Sequence, residues 1–244
     1  KKGWTPNPDI LCNREIKFDV FLKKAFELGA DFLATGHYAQ LDGEGPTRRL
    51  LRSVDTGKDQ TYFLHAVSPG AFERVLFQIG DLPKSRVREI AHDHNLATHA
   101  KKDSTGICFI GERDFTKFLS QYVATKPGAI RTLSGEQVGT HTGCAFYTLG
   151  QRKGLGLGGE GDAWFVVAKD ASSNTVFVEL GHEHPALLAS VLWAEELSWI
   201  AGKAPMRDDG VWRGTAKSRY RQLDQACEAR LESGRLRVSF DQPQ

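Results

Sequence analysis

What this chain lacks excludes several classes of protein. No apolar run in its 244 residues approaches the roughly 20 residues that a membrane-spanning helix needs. No basic and then apolar leader stands at its start. Its four cysteines include no C-x-x-C pair, so neither a zinc ribbon nor a disulfide framework is indicated. This cysteine usage predicts a cytoplasmic location, in a reducing compartment.

The chain also has no marked excess of charge of either sign. It has 32 lysines and arginines and 30 aspartates and glutamates, which gives a net charge of +2. A polyanion must therefore be bound by a local patch of basic residues. The hydrophobic share of 40% and the charged share of 25% are typical of a folded protein. The length suits one large domain or two small ones.

The first part of the chain has an α/β pattern. Apolar residues follow Cys12 at helical spacing, and Gly29 is a good stop. The stretch "DFLATGHY" (31–38) then predicts a short buried strand that ends in a turn. The apolar residues of the predicted helix are Ile16, Val20, Phe21, Phe26 and Leu28.

Helices are predicted between residues 68 and 123, and strands from Gly128 onward. Ser68-Pro69 and Pro83 each favour a helix start, and "DFTKFLSQYV" (114–123) is a third helix, with the loop 101–113 between them. The predicted strands are separated by "SGE", "ASSN" and "ESG" turns: "AIRTL", "AWFVVAK", "TVFVEL", "VWRGTAKSRYR", "ACEARL" and "RLRVSF". The sequence thus predicts α/β, then helices, then an antiparallel β module, interpreted as a small barrel.

A glycine-rich stretch imitates a nucleotide-binding motif. "GLGLGG" (154–159) satisfies G-x-G-x-x-G, which binds a dinucleotide when it joins a strand to a helix. Here no hydrophobic strand leads into it, and a predicted strand follows it. A flexible or substrate-covering loop is the better interpretation.

The local sequence leaves two interpretations of Cys12 open. It lies at or near a predicted helix start, where unpaired N–H groups and the helix dipole favour a thiolate. The acids Asp9 and Glu15 would raise the pKa of a nearby thiol. A buried packing cysteine and a reactive one therefore both remain possible.

The other cysteines divide into one open case and two packing residues. Cys108 has the apolar neighbours Ile107 and Phe109, yet it lies in a lysine-rich loop with two glycines. Its role also stays open. Cys144 and Cys227 lie in strand-like surroundings, which favours core packing for both.

Six motifs in order resemble a known family from one end of the chain to the other. They are "TPNPDILCN", "ATGHY", "KDQTYFL", "KKDSTGICFIGER", "YTLGQRKGLGLGG" and "SRYRQ". Together they closely resemble the tRNA-specific 2-thiouridylases (the MnmA/TrmU family). The resemblance implies an enzyme that replaces O2 of the wobble uridine by sulfur in tRNAs for Lys, Glu and Gln.

The resemblance also implies a multidomain α/β plus β fold. It assigns residues 1–112 to the C-terminal part of a PP-loop ATP-binding α/β domain, 113–180 to a small central domain and 181–244 to an incomplete antiparallel β-barrel. It implies ATP with Mg²⁺ as cofactor and persulfide sulfur from a donor protein, either a sulfur-relay protein or a cysteine desulfurase. No membrane partner is implied.

The motifs carry the expected site residues. Cys108 resembles the cysteine that receives sulfur as a persulfide, and Cys12 its partner thiol, with Asp9 able to exchange protons nearby. Gly36 resembles a residue that lies against ATP. The residues implied to surround the target base are Asn7, Pro8 and Asp9, and those implied to contact tRNA are His37, Lys58, Asp59, Gln60, Arg219 and Tyr220.

The chemistry suits these residue types. ATP would activate the uridine oxygen by adenylation, and the persulfide on Cys108 would supply a sulfur nucleophile. Cys12 would then cleave the S–S bond by thiol exchange and leave a Cys12–Cys108 disulfide. The target base must leave its stack to be reached.

This sequence departs from the family pattern at both ends. The family's Ser-Gly-Gly-x-Asp-Ser phosphate loop and the barrel segment after "FDQP" are not in it, so both ends are expected to be truncated. The fragment alone is expected not to thiolate tRNA. A non-catalytic tRNA-binding fragment is therefore the alternative, and a general thiol-redox enzyme is disfavoured because no C-x-x-C is present.

Overall fold

The described chain begins with a helix built of three joined parts. The structure is a computed structural model that describes residues 7–44, 48–101, 118, 120–122, 125–220 and 222–244. The parts are α1 (Pro8–Leu11), a π-helix (Cys12–Phe21) and α2 (Leu22–Glu27). Gly29 ends the helix at φ +92°, a conformation that favours glycine. The predicted helix and its stop are confirmed.

The buried face of this helix differs from the predicted one. Phe18 and Leu22 enter the core, whereas Ile16, Val20 and Phe21 are 51%, 63% and 54% exposed. The predicted apolar face was therefore wrong for these three residues. A π-helical stretch pairs residues five apart rather than four, so the spacing rule for an α-helix no longer selects the face that meets the core.

Two small sheets complete the α/β part. Strands β1 (Leu33–Thr35) and β4 (Val75–Phe77) pair in parallel, and β2 (Ala39–Asp42) pairs antiparallel with β3 (Arg49–Arg52). The strand predicted in 31–38 is thus present, although Leu33 and Thr35 are only half-buried. The core beneath the sheets contains Phe18, Leu22, Ala39, Leu64, Val67, Phe72 and Val75.

Only one of the predicted helices between 68 and 123 is described as an α-helix. It is α3 (Lys84–Asp93), which begins after Pro83 as predicted. The chain from Pro69 to Arg74 forms a 3₁₀ helix and then enters β4, because Val75–Phe77 pair with β1. Most of the third predicted helix (114–123) lies outside the described residues, as does Cys108.

The second half of the described chain forms two four-stranded sheets. The first has the order β6-β5-β8-β7, from β5 (Gly128–Arg131), β6 (Gln137–His141), β7 (Trp164–Asp170) and β8 (Thr175–Leu180). Its β5–β8 pair is parallel and its other pairs are antiparallel. Its core includes Ile130, Leu155, Val166, Val176 and Val178.

The second sheet lies where an incomplete barrel was expected, and it is an open four-stranded sheet. Its order is β10-β11-β12-β9, from β9 (Val191–Ala194), β10 (Val211–Ala216), β11 (Gln225–Glu232) and β12 (Arg235–Phe240). All pairs are antiparallel, and within the described strands the sheet does not close. The predicted strand "VWRGTAKSRYR" ends earlier than expected, at Ala216.

Contacts join the α/β part to the second sheet. Arg52 forms an ion pair with Asp224, its Nη2 donating to Oδ1 at 2.9 Å. Ile200, which follows β9, packs against the first core. Within the described ranges, no helix has the length and apolarity to span a membrane.

Candidate active site

Cys12 is placed by a capped helix start. The Oδ1 of Asn7 accepts hydrogen bonds from the N–H groups of Asp9 at 3.1 Å and Ile10 at 3.4 Å, and Pro8 occupies the first helical position. Proline is favoured there because its missing N–H would have no partner in the helix. Cys12 follows one turn later, at the junction with the π-helix, and is 7% exposed.

The three residues expected at the target base all lie in this turn. Asn7, Pro8 and Asp9 are half-buried, and the Oδ1 of Asn7 is committed to the cap. Asp9 and Cys12 are three positions apart, so they share one face of the helix. The structure thus brings the proposed thiol and a carboxylate to the same helical turn. Their contact with a base stays a prediction.

His37 lies inside the protein. Its ring is 8% exposed and uses both nitrogens, Nδ1 with the Oγ1 of Thr35 at 2.9 Å and Nε2 with the Oδ1 of Asn13 at 3.3 Å. Burial, and secondarily the charge of Lys17, lowers the pKa of His37 to about 4. The imidazole is therefore neutral at neutral pH. Its expected contact with tRNA stays a prediction.

Asn13 is a residue that the sequence reasoning missed. It is 3% exposed, and its Nδ2 donates to the carbonyl of Phe63 at 3.1 Å. The only signal was its position directly after Cys12. Nothing in the sequence indicates that its side chain would turn inward, because both of its partners are distant along the chain.

Gly36 lies immediately after β1, at the carboxyl end of a parallel strand, and is exposed. Among the described residues, a Cβ built there would meet only Ile79 Cδ1, at 3.9 Å. Ligands of open α/β sheets bind at the carboxyl ends of strands, so the position leaves room for a nucleotide to approach the backbone. The expectation that Gly36 lies against ATP fits this geometry but stays a prediction.

The segment expected to contact tRNA at 58–60 is held by internal bonds. The carboxylate of Asp59 accepts from the N–H of Ser53 at 2.8 Å and of Thr61 at 3.2 Å. Gln60 exchanges hydrogen bonds with the backbone of Tyr38, both at 2.9 Å. These side chains shape the loop, and Lys58 is half-buried beside them.

Arg219 and Tyr220 lie where the parts of the fold meet. The Nη2 of Arg219 donates to the carbonyl of Leu149 at 2.7 Å, and the ring of Tyr220 packs on that of Phe63 with centroids 4.4 Å apart. Arg219 is exposed. Both residues thus contact other parts of the protein in this structure, and their contact with tRNA stays a prediction.

Cys144 and Cys227 have the surroundings expected of packing residues. They are 8% and 5% exposed, and burial raises the pKa of each thiol. Raised values keep a cysteine in its unreactive form. Cys108 and most of its loop lie outside the described residues, so its pairing with Cys12 stays a prediction.

Comparison with known proteins defines the class of this fold. Residues 1–112 match the family model described as the tRNA methyl transferase HUP domain, and residues 116–179 match the tRNA methyl transferase PRC-barrel domain. The chain therefore joins an α/β domain of the HUP type to a β domain of the PRC-barrel type, as its element order indicates.

Similar whole proteins specify the family. The tRNA-specific 2-thiouridylase MnmA of Protochlamydia amoebophila is 59% identical over all of this chain and 64% of its own length. Those of Ralstonia nicotianae and Cupriavidus taiwanensis are each 52% identical over 99% of this chain, and over 66% and 68% of their own lengths. The chain belongs to the tRNA-specific 2-thiouridylase MnmA family. It spans about two thirds of the length of these relatives.

Proposed function

We propose that the protein containing this chain transfers sulfur to C2 of a uridine in tRNA, with ATP as the activating substrate. The observation that carries the proposal is the 59% identity, over all of this chain, to a relative named as a tRNA-specific 2-thiouridylase. The capped helix start, with Asp9 and Cys12 in one helical turn, supports it. The wobble uridine of tRNAs for Lys, Glu and Gln is the proposed target.

The described residues suit a thiol that reacts with another sulfur. Cys12 lies in the first turns of a helix, where the dipole favours an anion. ATP, when bound, supplies the adenylation that turns the uridine O2 into a leaving group. Among the described residues no group of three or more His, Cys, Asp or Glu could hold a metal, so Mg²⁺ is proposed to arrive with the phosphates of ATP.

The sulfur balance assigns one role to each cysteine. The outer sulfur of a persulfide on Cys108 forms the new bond to C2 as the activated oxygen leaves. The Cys12 thiolate then attacks the Sγ of Cys108, and the S–S electron pair stays on the sulfur of the base. The resulting Cys12–Cys108 disulfide needs an external thiol reductant. A sulfur-relay protein or cysteine desulfurase is the proposed donor.

The test uses the complete protein, tRNA, ATP and a persulfide donor, and measures 2-thiouridine by mass spectrometry of nucleosides. Cys108→Ser is expected to remove the protein persulfide. Cys12→Ser should keep the persulfide and stop transfer. Thiolation at the normal rate by Cys12→Ser would refute its role as the resolving thiol, and tRNA binding without any thiolation would favour the non-catalytic alternative.

A further inference from the structure

Asn13 is buried beside the proposed thiol, and both ends of its amide are used. Its Nδ2 donates to the Phe63 carbonyl at 3.1 Å, and its Oδ1 lies 3.3 Å from the Nε2 of His37. A side chain that is 3% exposed and bonded to two distant segments has one favoured orientation. The peptide that follows Cys12 is fixed with it.

This pattern determines the proton positions. A carbonyl can only accept, so the group of Asn13 that faces Phe63 must be the NH₂. The oxygen of the amide therefore faces His37 and needs a donor, which is Nε2–H. In a neutral imidazole the Nδ1 is then an acceptor, and the hydroxyl of Thr35, 2.9 Å away, donates to it. Each polar atom of the group has a matching partner.

The surroundings of His37 favour the neutral ring. Phe18 and Phe77 pack against it with ring centroids 5.5 and 5.8 Å away. Lys17 is the charged neighbour, and it disfavours a second positive charge. At neutral pH the ring of His37 thus carries one N–H group, at Nε2, and that group donates a hydrogen bond to Asn13.

Phe63, the other partner of Asn13, contacts the connection between β10 and β11 of the second sheet. Phe63 lies in a 3₁₀ helix (Thr61–Leu64), and its ring packs on Tyr220 with centroids 4.4 Å apart. The hydroxyl of Tyr62 donates to the carbonyl of Ser218 at 3.3 Å. The segment 218–220, after β10, is thus packed against the segment whose carbonyl binds Asn13.

We propose that Asn13 is a positioning residue for Cys12. It holds the Cys12 peptide by binding the Phe63 carbonyl and the Nε2–H of a neutral His37, and it couples Cys12 to docking of the segment 218–220. The inference rests on the proposed function in that Cys12 is taken as the reacting thiol. The contacts of Asn13 are all with other residues of this chain. It can therefore be tested without tRNA, ATP or a sulfur donor.

The first test is NMR of the protein with ¹⁵N-labelled histidine, with His37→Gln used to assign the signal. Wild-type His37 should show a protonated Nε2 and no titration between about pH 5 and 8. Asn13→Asp puts a carboxylate beside the ring, which raises the pKa of His37 and moves its titration upward. Asn95→Asp, on an exposed residue, is the matched control. A wild-type His37 with the proton on Nδ1 overturns the proposal, whatever the Asn13 variant does.

The second test measures alkylation of Cys12 by iodoacetamide, resolved by peptide mass spectrometry. Asn13→Asp and Tyr220→Ala should each change the rate by about fivefold or more, and the double variant should show little further change because both act through Phe63. Leu223→Ala, on a 79% exposed residue near the same segment, should leave the rate unchanged. Additive effects, or none, overturn the coupling. If the complete wild-type protein does not thiolate tRNA, the proposed function fails, and if Cys12→Ser still thiolates tRNA, only the role of Cys12 as the resolving thiol fails; in both cases the two tests of Asn13 keep their meaning.

Discussion

The contact of Arg219 with Gly150 gives a prediction with a built-in control. Gly150 has φ +75°, and a Cβ at this position would lie 2.7 Å from the Nη1 and 3.0 Å from the Nη2 of Arg219. Gly150→Ala must therefore displace the guanidinium. That movement breaks the 2.7 Å hydrogen bond from Arg219 to the Leu149 carbonyl.

Two costs add up in this variant. A non-glycine residue in the left-handed region costs about 1 kcal/mol, and loss of a solvent-exposed charged hydrogen bond costs about 1 kcal/mol more. The free energy of unfolding should thus fall by about 2 kcal/mol. Gly156→Ala is the matched control, because Gly156 has φ +66° and no atom of the part of the chain that the structure describes lies within 4 Å of the added Cβ. It should lose only the backbone contribution.

Urea unfolding followed by tryptophan fluorescence measures both variants. In an Arg219→Ala background no guanidinium remains to be displaced, so Gly150→Ala should cost only as much as Gly156→Ala does. Equal losses for the two glycine variants in the wild-type background would refute the reasoning. So would a full loss for Gly150→Ala when Arg219 is already absent.

Three further predictions follow from burial and charge. Phe72→Ala should lower the free energy of unfolding by about 3–5 kcal/mol, because Phe72 is 1% exposed in the first core; a loss below about 1 kcal/mol in urea unfolding would contradict that packing. The Arg52 guanidinium holds the pKa of Asp224 below its ordinary 3.8. The ion pair therefore stabilises the fold fully above about pH 3.8, and this stabilisation is lost as the pH falls through the lower pKa that Asp224 has in the folded protein. Asp224→Asn should therefore cost at most about 1 kcal/mol at neutral pH and nothing in acid, and a cost that persists in acid would exclude the ion pair as its cause. Cys144→Ser and Cys227→Ser should keep tRNA thiolation in the complete protein, measured as 2-thiouridine, whereas loss with either variant would give that cysteine a role beyond packing.

Local signals predicted much of the fold. Proline fixes its own φ and glycine tolerates the positive φ that ends a helix, so the start of α3 after Pro83 and the end of the first helix at Gly29 were predictable. Strand patterns of alternating residues likewise predicted β7, β8, β11 and β12. The six motifs identified the family because recognising them requires only the identity and order of the residues, not the fold.

Long-range packing decided the rest. The π-helix changed which face of the first helix is buried, so Phe18 and Leu22 fill the core and Ile16 and Val20 do not. The helix expected after Pro69 is a short 3₁₀ helix that gives way to β4 at Val75, because pairing with the distant β1 outweighs local preference.

The candidate site shows the same division. The sequence by itself marked Cys12 and the capped turn before it, since the cap depends on neighbours along the chain. Only the tertiary structure showed that Asn13 meets His37 and Phe63, which lie 24 and 50 positions away. Hydrogen bonds between distant residues depend on how the segments pack, and that information is present in no single stretch of sequence.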